Sequence, residues 1–568
     1  MKTSRRLILL SLFSVLIFSF AEMSASSQTT TASTAASTTA TVVSSVANPC
    51  PRPAAGSVVH NPTSLFSSNG VLNVNFSYQT RTDADGRTLY CFMTPDGLQN
   101  PTLHVRPGDT LTVNVTNNVP ASSGMVMVMS SSTNVCGSAT QTATSLNIHY
   151  HGTNTSPNCH SDEVIHTLIN SGQSFKYTIQ FPTNEPPGLY WYHPHVHGIA
   201  ESAVQGGASG AIIVDGIQYL QPAVAGLRHR VLMIRDQNVA GSPTPGGSVP
   251  SWDLTVNNIP IAFPALTPAV MHMQSGEKQL WRVSNSSADS IVDLQVQFDG
   301  TPQNLGVVAL DGVPTGSQDG TRQGKIVNTN HILIPTAGRA EFIVAAPAST
   351  VKNAILVTQP ISTGPLGDND TGRTLAIIKT FGSDNDGDGD NDDAVSTVVG
   401  TPWAQRFEGV QTATPTVQRT LYFSEVLSDP TNPLSPTNFF ITVDGATPVL
   451  FDPTNPPAIT THQGSIEQWV VQNRAQENHE FHFHQIHFQV KSQNNFEVNG
   501  TPQNTVDNGQ FMDMVQVPFW DGNASHPYPS VTLQFDFTGP DVGDFVYHCH
   551  ILGHEDNGMM AIIRVLPN

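Results

Sequence analysis

The densest set of metal-binding side chains in this chain is a cysteine between two histidines, His548, Cys549 and His550, followed within one loop by His554 and Met559. One thiolate, two imidazoles and a weak axial thioether make a copper centre suited to electron transfer. The two histidines beside Cys549 cannot serve that same copper. In an extended strand, alternate side chains leave opposite faces. With Cys549 on one face, His548 and His550 both take the other. The motif therefore predicts two metal centres joined by one short piece of backbone.

Three further clusters supply the second centre. They are His149 with His151, His193 with His195, and His482 with His484, the last preceded by His479. A His-x-His pair on a strand aims both rings at one face. His479 lies three residues before His482, on the opposite face, which is the parity of Cys549. His479 is thus the partner of Cys549, His554 and Met559. The other eight histidines can hold three coppers with positions open for a small ligand. No other thiolate accompanies them, which argues against a zinc-finger or iron–sulfur site.

This pattern closely resembles the multicopper oxidases, the family of laccases, cuprous oxidases and bilirubin oxidases, over nearly the whole mature chain. The resemblance implies four coppers. It places a type 1 copper on His479, Cys549, His554 and Met559, and a type 2 copper on His149 and His482. It places a type 3 pair on His151, His193, His195, His484, His548 and His550. It also implies that a reducing substrate yields single electrons at the type 1 copper, and that dioxygen takes four of them at the trinuclear cluster to give water. Glu555 and Asp162 match the acids that supply protons. Glu480 stands where the family commonly has Pro, and Gln485 where it commonly has Gly. Neither is a ligand, so only local loop shape is in question. His197 and His487 fit no metal slot and read as supporting or structural residues. Glu477, two residues before His479, is a weak candidate for substrate contact.

Such ligands need rigid strands, and the chain repeats one strand three times. Gly108 to Asn117, Gly276 to Asn285 and Gly464 to Asn473 each run from a turn glycine to an asparagine nine residues on. All three carry apolar residues at the same two inward offsets. Gly188 to His195 matches Gly543 to His550 position by position, whereas the middle copy has no His-x-His pair. The repeats argue for three related β-sandwiches, the first and third sharing the histidine cluster and the middle one a spacer without copper ligands. The family resemblance implies the fold class: all-β, three consecutive cupredoxin-like Greek-key sandwich domains. The expected organisation is a signal peptide over 1–25, a Ser/Thr/Ala-rich leader over 26–56, domains over 57–216, 217–381 and 401–568, and an acidic linker over 382–400.

Composition agrees with an exported, loop-rich β protein. Charged residues are 12%, Gly and Pro number 44 and 41, and the net charge of −20 argues against a nucleic-acid partner. Lys2, Arg5 and Arg6 precede an apolar run from Leu7 to Phe20, too short to span a bilayer. Ordinary secretion fits this segment at least as well as twin-arginine export. The mature protein is expected to be secreted or periplasmic, with no transmembrane segment. Cys50, Cys91, Cys136 and Cys159 can pair in three ways. The favoured pairing is Cys136–Cys159 with Cys50–Cys91, and free buried thiols are the alternative. The acidic run 384–393 lacks the closing Glu of a calcium loop and reads as a solvated linker. Met125, Met127 and Met129 read as an apolar strand, with a cuprous docking strip as the lesser reading.

The expected activity is laccase-like: oxidation of phenols or aromatic amines coupled to reduction of dioxygen. The alternatives are a Cu(I) or Fe(II) oxidase for metal tolerance, or a cupredoxin scaffold without catalysis. A scaffold is expected to have lost ligands, and none is missing here. A nitrite reductase would leave the type 3 histidines unexplained.

Overall fold

The structure is a computed structural model that describes residues 49–568 apart from 122–135, 138, 240–248, 382–393, 433, 496, 499–500 and 503–506. The methionine run 125–129, the acidic run 384–393, the signal peptide and most of the leader lie outside the described residues.

The three repeated segments become the same element of three sandwiches. Strand Thr110–Asn117 runs parallel to Val71–Thr82 and antiparallel to Ser174–Gln180. Lys278–Asn285 lies likewise between Arg228–Asn238 and Arg339–Ala345. Ile466–Asn473 lies between Val417–Leu427 and Ser530–Asp536. The turn residues Gly108, Gly276 and Gly464 all have φ near +80°, a conformation that glycine adopts without a Cβ clash. The inward offsets carry Val113 and Val115, Trp281 and Val283, and Trp469 and Val471, all fully buried. Burial of these apolar side chains is the main force closing each sandwich.

The asparagine that ends each repeat is a clamp. Asn117 donates from Nδ2 to the carbonyls of Thr144 and Ile169. Asn285 donates to those of Ser290, Ile334 and Pro335. Asn473 donates to those of Glu477 and Val517. All three are 0% exposed. Each ties the end of its strand to neighbouring segments and satisfies buried carbonyls that water cannot reach.

Each sandwich pairs two sheets. The first has sheets of four and five strands, the second of six and eight, and the third of five and six. The second and third share one continuous apolar cluster, while the first has its own around Phe76, Phe92, Tyr177 and Tyr192. The short segment after the acidic run is not free of the second sandwich: Ala394 bridges Arg228, and Val395 packs with Ile217 and Leu280. Disulfides join Cys50 to Cys91 and Cys136 to Cys159, leaving Cys549 as the free cysteine of the described residues. Helices among the described residues are short, the longest running Ala200–Gln205. No helix among the described residues is long and apolar enough to cross a membrane.

The clamps make a prediction. Asn285→Ala takes the Nδ2 donor away from the buried carbonyls of Ser290, Ile334 and Pro335. The thermal midpoint should fall by about 4–8 °C, from a loss of roughly 2 kcal/mol. Differential scanning calorimetry checks it.

Candidate metal centre

Two pairs of matching strands bring the histidines together. His149–His151 pairs antiparallel with Gly188–His193, setting His149 opposite His193. His479–Phe483 pairs antiparallel with Gly543–Cys549, setting His482 opposite His548. The first pair belongs to the first sandwich and the second to the third. Their His-x-His faces meet across the seam.

All eight histidines of this seam are at most 1% exposed. His149 stacks on His484 at 3.9 Å between ring centres, and His151 on His482 at 4.0 Å. The rings gather in groups that mix the two sandwiches. His195, His484 and His548 meet with Nε2 atoms 3.1–3.2 Å apart. His151, His193 and His550 have ring centres 5.0–5.7 Å apart. His149 and His482 lie 5.8 Å apart.

The seam fits metal better than it fits protein alone. The Nε2 atoms of His149, His151, His193, His482 and His550 are buried without a hydrogen-bond partner. Buried polar atoms in native proteins are paired, so a cluster of orphans converging on one space marks the place of an absent ligand. Burial, reinforced by the neighbouring rings, pushes His151, His193, His195, His482, His484, His548 and His550 well below the ordinary histidine value. Neutral imidazole is the form that binds copper.

On the opposite face of the same strand, Cys549 lies 3.7 Å from His479 Nδ1 and 3.8 Å from His554 Nδ1, and the two nitrogens are 3.1 Å apart. The Glu480 N–H donates to Cys549 Sγ at 3.3 Å. Burial pushes the thiol up, so a cation is needed to keep it as thiolate. Met559 is fully buried, and its backbone is tied to Cys549 and His554. Met560 turns instead into a small apolar cluster with Val546 and Ile562. His554 is the ligand candidate nearest solvent, 9% exposed, and the Phe439 ring stacks on it at 4.2 Å.

The two acids singled out in the sequence both reach the seam. Asp162 accepts from His149 Nδ1 at 3.0 Å and from the Tyr150 N–H. Glu555 is wholly buried, its oxygens without a hydrogen bond and 3.5–3.8 Å from the Nδ1 atoms of His548 and His195. Burial pushes it far above the usual carboxylate range, so it is held as a neutral acid. Glu477 reaches His554 Nε2 at 3.5 Å and shares a hydrogen bond with Glu425. His487 donates to no metal group. Its Nε2 faces the Asp311 carbonyl at 2.8 Å. His197 lies with its ring edge against Phe451.

Several residues that hold the site carried no signal in the sequence. Asp513 receives Arg339 through both guanidinium nitrogens, Nη1 to Oδ1 at 2.7 Å, and its carbonyl faces His482 Nδ1 at 2.9 Å. Arg339 also approaches His151 Nδ1 at 3.2 Å. The middle sandwich, expected to be a spacer, therefore walls the site although it offers no ligand. Thr336, from the same sandwich, bonds the Glu480 carboxyl and donates to the His550 carbonyl at 2.5 Å. Burial pushes Glu480 up to about 8, so its carboxyl keeps a proton to share with Thr336 at neutral pH. Gln485 adopts φ +62°, the left-handed region, and donates to Asp162 Oδ2 at 2.7 Å. The two departures from the family's sequence thus affect more than loop shape: both side chains support residues of the site.

Two models of the multicopper oxidase family match the chain, one over residues 134–218 and one over 425–568. Multicopper oxidase LPR1 homolog 3 of Oryza sativa subsp. japonica is 24% identical over 457 residues, 69% of this chain and 78% of the rice protein. Among solved structures, McoA multicopper oxidase from the hyperthermophile Aquifex aeolicus superposes with a TM-score of 0.63 at 20% identity, covering 90% of this chain and 99% of that one. A multicopper oxidase from Campylobacter jejuni described as a metallo-oxidase superposes with a TM-score of 0.62 at 18% identity, covering 92% and 97%.

A buried acid held by Asn154 gives a pH prediction. Glu185 accepts from the N–H and Nδ2 of Asn154, yet its Oε2 has no partner, and burial pushes it up to about 7. An acid raised in the folded state costs stability as pH rises towards and through that value. Glu185→Gln should remove this decline. Its thermal midpoint should gain on the parent between about pH 5 and about pH 8, and scans at both ends check the sign.

Proposed function

For a chain that belongs to the multicopper oxidase family, we propose an oxidase that couples one-electron oxidation of a small donor beside His554 to reduction of dioxygen to water in the histidine seam. The observation that carries this is the split of one strand end: Cys549 faces His479 and His554, while its neighbours His548 and His550 face the seam. We assign four coppers: one to His479, Cys549, His554 and Met559, one to His149 and His482, and two to His151, His193 and His550 and to His195, His484 and His548. Copper bound in these places supplies the one-electron steps and the binding of dioxygen.

The chain's own groups do the rest. The peptide from Cys549 to His548 and His550 links donor side and seam through a few covalent bonds. Glu555, kept protonated by burial against His195 and His548, would give a proton to oxygen as it is reduced. Asp162 holds His149 by its Nδ1, and Gln485 fixes the other oxygen of that carboxyl. The seam excludes bulk water, so protons must come through such groups.

The donor side supports two readings. A full ligand set serves a laccase of phenols and aromatic amines and a metal-ion oxidase equally. Glu477 and Glu425 share a proton at the open edge of His554, and the negative charge left on the pair favours a cationic donor, Cu(I) or Fe(II), over a neutral phenol, to which it offers only a hydrogen bond. Oxygen uptake by the copper-loaded protein with 2,6-dimethoxyphenol, Cu(I) and Fe(II) separates them. Cys549→Ser should bring uptake with every donor to background. The double change Glu425→Gln and Glu477→Gln should raise KM for the metal ions about tenfold and leave the phenol within about twofold. An equal change for all donors would remove the case for a cationic one.

A further inference from the structure

A cavity of about 720 Å³ opens where the first sandwich, the second sandwich and the segment 394–403 meet, and no candidate copper ligand lines it. Its volume is in the range of small-molecule sites. Its floor is a row of buried nitrogen groups. His104 is 3% exposed, His229 5% and Arg282 2%. Arg282 donates from Nε to His229 Nδ1 at 3.1 Å and from Nη1 to Glu341 at 2.5 Å. With Nδ1 of His229 accepting that hydrogen, the proton of the ring must sit on Nε2, which makes it a donor. His104 is held by Asp215 through Nδ1 at 3.1 Å, and its Nε2 is buried without a partner. Arg106 stands at the rim, exposed, with no ion pair among the described residues.

The walls are aromatic. The half-exposed Phe66 ring packs on His104 at 4.4 Å. Trp403 closes the other side, its Nε1 buried and unpartnered. It reaches this place only because residue 216 is glycine: a Cβ there would lie 2.8 Å from its ring. The Tyr219 edge braces Trp403 at 5.7 Å.

We propose that this cavity binds a small aromatic carboxylate, its carboxylate met by Arg106, Arg282 and the Nε2–H of His229 and its ring held between Phe66 and Trp403. The guanidinium of Arg106, without an ion pair among the described residues, opposes a metal cation. A simple inorganic anion would leave the aromatic walls and most of the volume unused. A flat ring with one carboxylate answers both features, and guanidinium is the donor best matched to a carboxylate. The protein's charge of −20 repels anions at long range, so affinity must come from these local donors.

The test is isothermal titration of the copper-loaded full chain with benzoate, and with benzyl alcohol as a neutral probe of similar shape. Benzoate should bind once per chain, and benzyl alcohol about tenfold more weakly or worse. Arg106→Glu, at an exposed rim position that leaves the core intact, should weaken benzoate about tenfold or more. Trp403→Leu should weaken it several-fold. Benzoate affinity unchanged by Arg106→Glu would place the ion elsewhere, at copper for example, and overturn the proposal. So would benzyl alcohol binding as tightly as benzoate, or no benzoate binding at about 10 mM.

Discussion

Eight buried imidazoles at one seam are the constraint on which this structure rests. Each takes a polar ring out of water, and five leave Nε2 without any protein partner. Hydrophobic burial in the flanking sandwiches has to offset that cost in the metal-free chain. The arrangement is therefore a strained reservoir of unsatisfied donors and acceptors that a metal would relieve. Coupling of metal binding to stability follows directly. It also explains the stiff strand scaffold. A loop could turn its histidines outward to water, but a strand pinned opposite a second strand, as His149 is to His193 and His482 to His548, cannot.

The middle sandwich matters through charge rather than ligation. Arg339 is wholly buried between Asp513 and Asp311, which together hold its guanidinium in the charged form. That cation beside His151 raises the cost of protonating the ring and so favours its ligating form. Two residues on, Glu341 takes the Leu189 N–H with one oxygen and Arg282 with the other. Leu189 lies in the strand that carries His193, and Arg282 floors the cavity between the first two sandwiches. One carboxylate thus connects that cavity's floor to the strand behind the seam. Replacing one partner of such a buried pair generally costs far more than the pair itself contributes.

What was legible in the sequence was whatever depends on parity and repetition. Strand alternation alone separates Cys549 from His548 and His550, and the structure places them on opposite sides of one strand. The triple repeat from glycine to asparagine becomes three copies of one strand in one topological setting. What was not legible depends on contacts between distant segments. Asp513, Arg339 and Thr336 look like ordinary polar residues of strand ends and turns, and nothing local announces that they meet at the seam. Glu477 and Glu425 are 52 positions apart and become neighbours only when the loop before His479 meets the strand end that carries Glu425. Asp162 and Glu555, which the family resemblance suggested, each sit within one loop of a histidine cluster, so their nearness to the seam follows from nearness in the chain.

Gln485 shows how a departure from a family's sequence can be read physically. The family commonly has glycine there, and the backbone here is indeed left-handed, at φ +62°. A non-glycine residue in that region costs on the order of 1 kcal/mol. Glycine would avoid the strain but leave Asp162 Oδ2 without its donor. The amide of Gln485 supplies that bond at 2.7 Å, while the other oxygen of Asp162 holds His149. A buried carboxylate left with an unmet oxygen costs more than the backbone strain does. The side chain therefore offsets its own conformational penalty, and in doing so it ties the loop after the third histidine cluster to the loop after the first. Both sandwiches that share the seam are fastened at this point, one acid away from the imidazole they position.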